Sequence, residues 1–232
     1  MSKPRVQLDV SLLILLIFVT VLVFSFPQLY KGYTPTVDNS LDCLGFIIVL
    51  KGAVIRMAAR GHKKSFSANS NSLVTTGSYA LVRNPMYLGT FLIGCGFVLM
   101  LLPWWILPFF AVLFYMRFIR QIVKEEAFLT EMFGEKYKQY CERVPQLFPT
   151  LTLIRQIHWQ QIFIPHEIFN TNEKNGWWTW PMLAFILETV QEYRVFGYTD
   201  IVKTLGIFLC TYIIFLLVLI SSLLIDQLRH KS

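Results

Sequence analysis

Long apolar runs alternate with short polar, basic blocks along this chain. The uncharged run from Val10 to Tyr30 predicts a membrane helix over Val10–Gln28. A signal peptide would have a shorter apolar stretch and a small-residue cleavage site, so the segment reads as a retained helix. After the polar link KGYTPTVDNS, a second helix is expected at Leu41–Ala59, carrying Lys51 and Arg56. Those charges imply that one of its faces meets protein or a water-filled groove. The basic block RGHKKSFSANSNS then reads as an aqueous link. A third helix is expected at Pro85–Leu102, with Pro85 suited to a first turn. Pro103-Trp104-Trp105 predicts a tight turn, and a fourth helix is expected at Trp105–Ile119, where Pro108 would allow a kink. From Arg120 to Tyr140 the pattern becomes amphipathic, with Gly134 as a candidate break. Thr150 to Asp200 is aromatic-rich and polar; Met182–Val190 is too short to cross a bilayer, so packing at the membrane surface is expected, with Trp177–Pro181 as a candidate lid. Thr204–Ile225 predicts a last crossing.

The predicted class is all-α: a multi-pass membrane helical bundle of about five transmembrane helices, with a cytosolic amphipathic helix after the fourth. Three regions follow from the pattern: 1–72, 73–149 and 150–232. Hydrophobic residues make up 55% of the chain and charged residues only 15%, well below the roughly 25% of a soluble domain. The net charge of +7 needs no nucleic-acid partner, because the basic residues flank apolar runs. Lys3 and Arg5, the Arg56–Arg83 block and Arg117–Lys124 fall on one side if the N-terminus is cytoplasmic. That places the polar blocks in the cytoplasm. Cys43, Cys95, Cys141 and Cys210 form no close pair and no Cys/His pattern, so no metal is expected.

Four blocks carry candidate chemistry, and each also has a plain structural reading. In GSYALVRNPMYLG, Arg83 is placed to hold a carboxylate or phosphate, and Asn84 is a candidate helix cap. Simple helix initiation at an interface uses the same residues. Gly94 and Gly96 permit the close approach of a flat ligand or of another helix. Glu125 and Glu126 point about 100° apart on a helix, so one can face a pocket while the other pairs with a cation. Tyr137, Tyr140 and Arg143 recur every third residue, on neighbouring positions of a helix face. There, tyrosine rings attract a sulfonium and Arg143 an anion.

Taken in order, LVTTGSYALVRNPMYLG, then EE, then FGEKYKQYCERVP, the stretch from Leu73 to Pro149 resembles the isoprenylcysteine carboxyl methyltransferase family. The EE and the Gly94-x-Gly96 pair are similar to cofactor motifs of the related phospholipid N-methyltransferases. The resemblance implies an integral membrane methyltransferase that uses S-adenosylmethionine from the cytosol and a lipophilic acceptor from the bilayer. By motif, Arg83, Asn84, Tyr87, Gly94, Gly96, Glu125, Glu126 and Tyr137 would hold the cofactor. Arg143, Glu126 and Tyr140 would serve catalysis. The family typically has His where this chain has Asn84, which cannot titrate. A carboxylate acceptor is favoured because it is already ionised at neutral pH, and the matched blocks hold no His. The alternatives are a phospholipid amine N-methyltransferase, an NADPH-dependent membrane reductase, and a non-catalytic membrane interaction protein.

Overall fold

The computed structural model describes residues 35–67, 72–156, 175–196 and 201–229, with positions 21, 25, 162 and 164. Apart from positions 21 and 25, the expected crossing at Val10–Gln28 lies outside the described residues, as does most of 157–174. Among the described residues the protein is all-α.

Helix α1 spans Pro35–Ser67, well beyond the expected Leu41–Ala59. Both flanks read as links because they are polar, yet polarity alone does not end a helix. Pro35 opens α1, Asp38 lies in its first turn and Lys64 in its last, each suited to the helix dipole. A 3-10 turn at Gly77–Ala80 leads into α2, Pro85–Leu101, with Pro85 in its first turn. A second 3-10 turn at Trp104–Ile106 leads into α3, Leu107–Phe133. Pro108 falls in the first turn of α3, so it starts the helix instead of kinking it. No break occurs at Ile119–Arg120: the expected fourth crossing and the start of the amphipathic segment are one helix. The break comes at Gly134, whose φ of 54° suits glycine, and α4 follows at Glu135–Arg143. A short α5 spans Leu151–Gln156, α6 spans Gly176–Phe196 and α7 spans Ile201–Arg229.

Helices α1 and α2 run antiparallel and meet backbone to backbone at two glycine crossings. A Cβ on Gly96 would lie 2.5 Å from the Gly45 carbonyl oxygen, and one on Gly52 would lie 2.6 Å from that of Gly89. Small residues at such crossings let membrane helices gain dispersion contacts along their length. The main core gathers Phe46, Val49, Leu50 and Ala53 of α1 with Phe97 and Leu101 of α2, Ala184 of α6 and Phe208 of α7. One face of α6 packs on this core: Ala184, Glu188 and Gln191 are buried, whereas Met182, Ile186, Val190 and Tyr193 are exposed. Trp177 to Pro181 form the first turns of α6, where Trp177 and Trp178 pack on Tyr212 and Trp180 on Phe97.

Among the described residues two helical stretches are long and apolar enough to cross a membrane, Trp104–Phe133 and Val202–Ser221; Pro85–Leu101 is apolar but shorter. Phe109, Val112, Leu113 and Met116 of α3, and Ile213, Ile214, Leu217 and Val218 of α7, are each more than half exposed. Apolar faces of that extent need lipid to cover them. The protein is a membrane protein.

Candidate active site

A second buried cluster builds the floor of the site. Leu81 and Val82 from the loop before α2, Leu88 of α2, Phe114, Phe118 and Ile122 of α3, and Leu147 pack together. This apolar contact holds three chain segments that are distant in sequence, and hydrogen bonds then fix their register. The Arg83 amide donates to the Pro145 carbonyl (2.9 Å), and the Asn84 amide to the Gln146 carbonyl (3.2 Å). The Tyr140 hydroxyl donates to the Tyr79 carbonyl at 2.6 Å. The VRNP and RVPQ stretches thus lie side by side.

The two glutamates divide their work as their angular separation predicts. Glu126 turns toward the loops. Its Oε1 accepts from Asn84 Nδ2 (2.9 Å), its Oε2 accepts from Gln146 Nε2 (2.9 Å), and Arg83 Nε lies 3.3 Å from Oε1. The Arg83 contact is an ion pair without hydrogen-bond geometry at Nε. Glu125 turns toward α2, accepting from the Tyr87 hydroxyl and from Gln121 Nε2, each at 3.0 Å. Asn84 sits at the N-cap position of α2, but its side chain makes no cap bond. It ties the loop to α3 through Glu126.

Above this floor lies a cavity of about 370 Å³. Arg83, Asn84 and Tyr87 line it together with Glu125, as do Arg56 and Lys63 of α1, Gln121 and Lys124 of α3, and the rings of Tyr79, Phe118 and Phe128. Arg56 reaches across to donate to the Thr90 hydroxyl. Four cationic side chains against one carboxylate give the lining a positive balance, while the rings supply apolar wall. Such a chamber suits a mixed ligand with an anionic group, hydroxyls or amines, and a flat or apolar part.

Residues 41–136 match the family model described as phospholipid methyltransferase. The protein-S-isoprenylcysteine O-methyltransferase of Schizosaccharomyces pombe is 31% identical over 116 residues, covering 47% of this chain and 49% of that protein. Its counterpart from Xenopus laevis is 32% identical over 117 residues (47% and 41%). Protein-S-isoprenylcysteine O-methyltransferase A of Arabidopsis thaliana is 34% identical over 113 residues (45% and 57%). Over about half of its length the chain is similar to the isoprenylcysteine carboxyl methyltransferases. It spans about half the length of the curated relatives it matches. No solved structure matches it.

The family motifs converge only in part. Arg83, Asn84, Tyr87 and Glu125 come together at the cavity. Glu126, expected to hold the cofactor and to act in catalysis, is not among the lining residues, and both its oxygens are engaged by Asn84, Gln146 and Arg83. Gly94 and Gly96 face two different helices. A Cβ on Gly94 would meet the Phe110 ring of α3 at 2.2 Å, whereas Gly96 abuts Gly45 and Val49 of α1. In this structure both serve helix packing, for which their spacing across one helix is the reason. Tyr137 and Tyr140 are buried with Val144, against Leu129 and Phe133, and not in the cavity wall. Burial pushes both phenols well above the ordinary tyrosine range, with neighbouring negative groups adding to it. Both phenols are thereby held further from ionisation near neutral pH. Arg143, in the last turn of α4, is exposed and off the cavity.

Several residues of the site escaped the motif reading. Arg56 carried a signal, as a charge within an apolar helix. Gln121 lies four residues before Glu125, a spacing that puts both on one helix face. Gln146 carried none, since its role depends on a long-range pairing. The carboxylate cluster of Asp38, Asp42 and Glu188 was likewise missed, although no metal was expected.

Proposed function

We propose that this protein is an integral membrane methyltransferase that uses S-adenosylmethionine to methylate a lipophilic carboxylate, of the S-prenylated cysteine kind. The observation that carries the reading is the convergence of Arg83, Asn84, Tyr87 and Glu125 on one cavity with a cationic, aromatic lining. The names of the relatives support the acceptor class.

The lining fits that cofactor by its donor set. Glu125, held by Tyr87 and Gln121, keeps a carboxylate at the wall for ribose hydroxyls or an amino group. Arg56, Lys63 and Lys124 are the groups to attract an α-carboxylate. The faces of Tyr79, Phe118 and Phe128 favour a sulfonium and exclude water around it. When bound, S-adenosylmethionine supplies an activated methyl group, so the protein's task is positioning and desolvation. Among the described residues no histidine lines the cavity. Glu125 is engaged as an acceptor. A carboxylate acceptor, which needs no proton removed, matches that inventory better than an amine or hydroxyl. In this reading about five helices cross the bilayer, the basic ends of α1 and α3 face the cytoplasm, and the cavity opens on that side.

The test is methyl transfer from labelled S-adenosylmethionine to an S-farnesylated cysteine analogue by the purified protein. Incorporation into a base-labile ester supports the reading. Incorporation into phospholipid amines, with none into the ester, would replace the acceptor class. NADPH binding without S-adenosylmethionine binding would replace the enzyme class.

A further inference from the structure

A second concentration of chemistry lies at the other end of α1. Asp38 and Asp42 sit one turn apart near its start, and Glu188 comes from α6. Ligand oxygens of the three lie within 4.8 Å of one another, and the residues are only 7%, 5% and 2% exposed. From Asp42 to Arg56 is about 21 Å along the helix, so this cluster is separate from the cavity. Glu188 also falls beyond the 41–136 segment that the family model matches.

Three carboxylates crowded into a buried space cannot all be ionised without a compensating positive charge. Among the described residues none of the three forms an ion pair. An independent observation adds to this. Gln191, one turn beyond Glu188 on the same face of α6, is fully buried, and neither its amide nitrogen nor its oxygen has a hydrogen-bond partner. Asp42 Oδ1 and Glu188 Oε2 also lack partners. A buried amide with nothing to bond is costly, and each such group calls for an explanation. Nearby Glu192 is accounted for, since its Oε2 accepts from the Thr204 hydroxyl at 2.8 Å.

The donor set is all oxygen, which selects a hard cation. A buried site of protein oxygens suits Ca²⁺, whose coordination is flexible, better than Mg²⁺, which keeps several waters. We propose that Asp38, Asp42 and Glu188, with the Gln191 amide oxygen, form a Ca²⁺ site that fastens α6 to the start of α1. The ion would offset two of the three negative charges and satisfy the buried amide oxygen, locking the C-terminal helices onto the core.

The experiment is calorimetric titration of the chelator-treated, detergent-purified full chain with Ca²⁺ and separately with Mg²⁺, beside thermal unfolding in each. Saturable Ca²⁺ binding with a rise in Tm that Mg²⁺ does not match is expected. Glu188→Gln and Asp42→Asn should each weaken Ca²⁺ by about tenfold or more, leaving S-adenosylmethionine binding unchanged. The proposal is overturned if folded wild type binds no Ca²⁺ and its Tm ignores Ca²⁺ and chelator alike. It is also overturned if both variants bind Ca²⁺ as wild type does, or if Glu188→Gln raises Tm, the mark of a proton-sharing cluster. Should the variants not fold, the wild-type titration alone decides.

Discussion

Replacing Glu126 by Ala should unfold the site's framework, whereas replacing Glu125 by Ala should empty its function and spare its fold. Glu126 holds two amide donors at 2.9 Å and the Arg83 guanidinium at 3.3 Å, with the pair's side chains only 15% and 16% exposed. Its loss takes a partner from Asn84, Gln146 and Arg83 together, with Asn84 Nδ2 keeping only its bond to the Gln146 carbonyl at 3.2 Å. A buried pair broken from one side costs about 3–5 kcal/mol, and partial exposure lets water recover some of that, leaving about 3 kcal/mol. For a chain of this size that corresponds to a fall in Tm of ~6–12 °C. Glu126→Gln, which keeps one acceptor oxygen but drops the charge, should fall between the alanine variant and wild type. The Glu125 donors, Tyr87 and Gln121, line the cavity, where water can take over their bonds. Its removal should cost no more than about 1 kcal/mol. Thermal unfolding in detergent, read beside S-adenosylmethionine affinity, separates the two glutamates. The reasoning is refuted if Glu126→Ala keeps wild-type Tm but loses the cofactor, because Glu126 would then be a ligand contact.

Gly96→Ala should separate α1 from α2, because its Cβ would sit 2.5 Å from the Gly45 carbonyl oxygen; a loss of about 1–3 kcal/mol is expected, and normal stability with selective loss of cofactor would restore Gly96 to the ligand site. Tyr140→Phe removes the bond to the Tyr79 carbonyl and should cost about 1 kcal/mol by denaturant titration, with the transfer rate per folded molecule unchanged; a steep fall in that rate would return Tyr140 to catalysis. The raised Tyr137 and Tyr140 phenols predict a stability limit at high pH: the unfolded chain releases these protons near pH 10 while the folded chain retains them, so stability falls above about pH 10. Unfolding midpoints measured from pH 8 to 11 should show that decline, and Tyr137→Phe should flatten it. Arg143→Ala should leave cofactor Kd within about twofold, since the residue is exposed and off the cavity; a tenfold loss would contradict that placement.

Helix identity was legible wherever a long apolar run had strong local signals. Pro85 set the start of α2, and Gly134 ended α3 through a backbone angle that few other residues adopt. The ends of α1 were not legible, since polar residues such as Asp38 and Lys64 are good helix-terminal residues as well as good loop residues. Helix α6 was hidden because Glu188 and Gln191 break its apolar pattern, and only the partner helix α1 makes their burial intelligible. At the site, four of the residues that motif order grouped, Arg83, Asn84, Tyr87 and Glu125, meet at one cavity. The roles of Glu126, Gly94 and Gly96 could not be told from spacing. An acidic residue beside a pocket and one that braces the pocket differ only in their long-range partners, here Asn84 and Gln146. A glycine against a ligand and one against a helix likewise read alike.

The most direct test of the central claim is calorimetric titration of the detergent-purified chain with S-adenosylmethionine, beside a Glu125→Ala variant of matched Tm. Saturable binding by wild type, lost in the variant, is the predicted result and would locate the cofactor at the cavity formed by α1, α2 and α3. No binding by folded wild type, or equal binding by the variant, would contradict it.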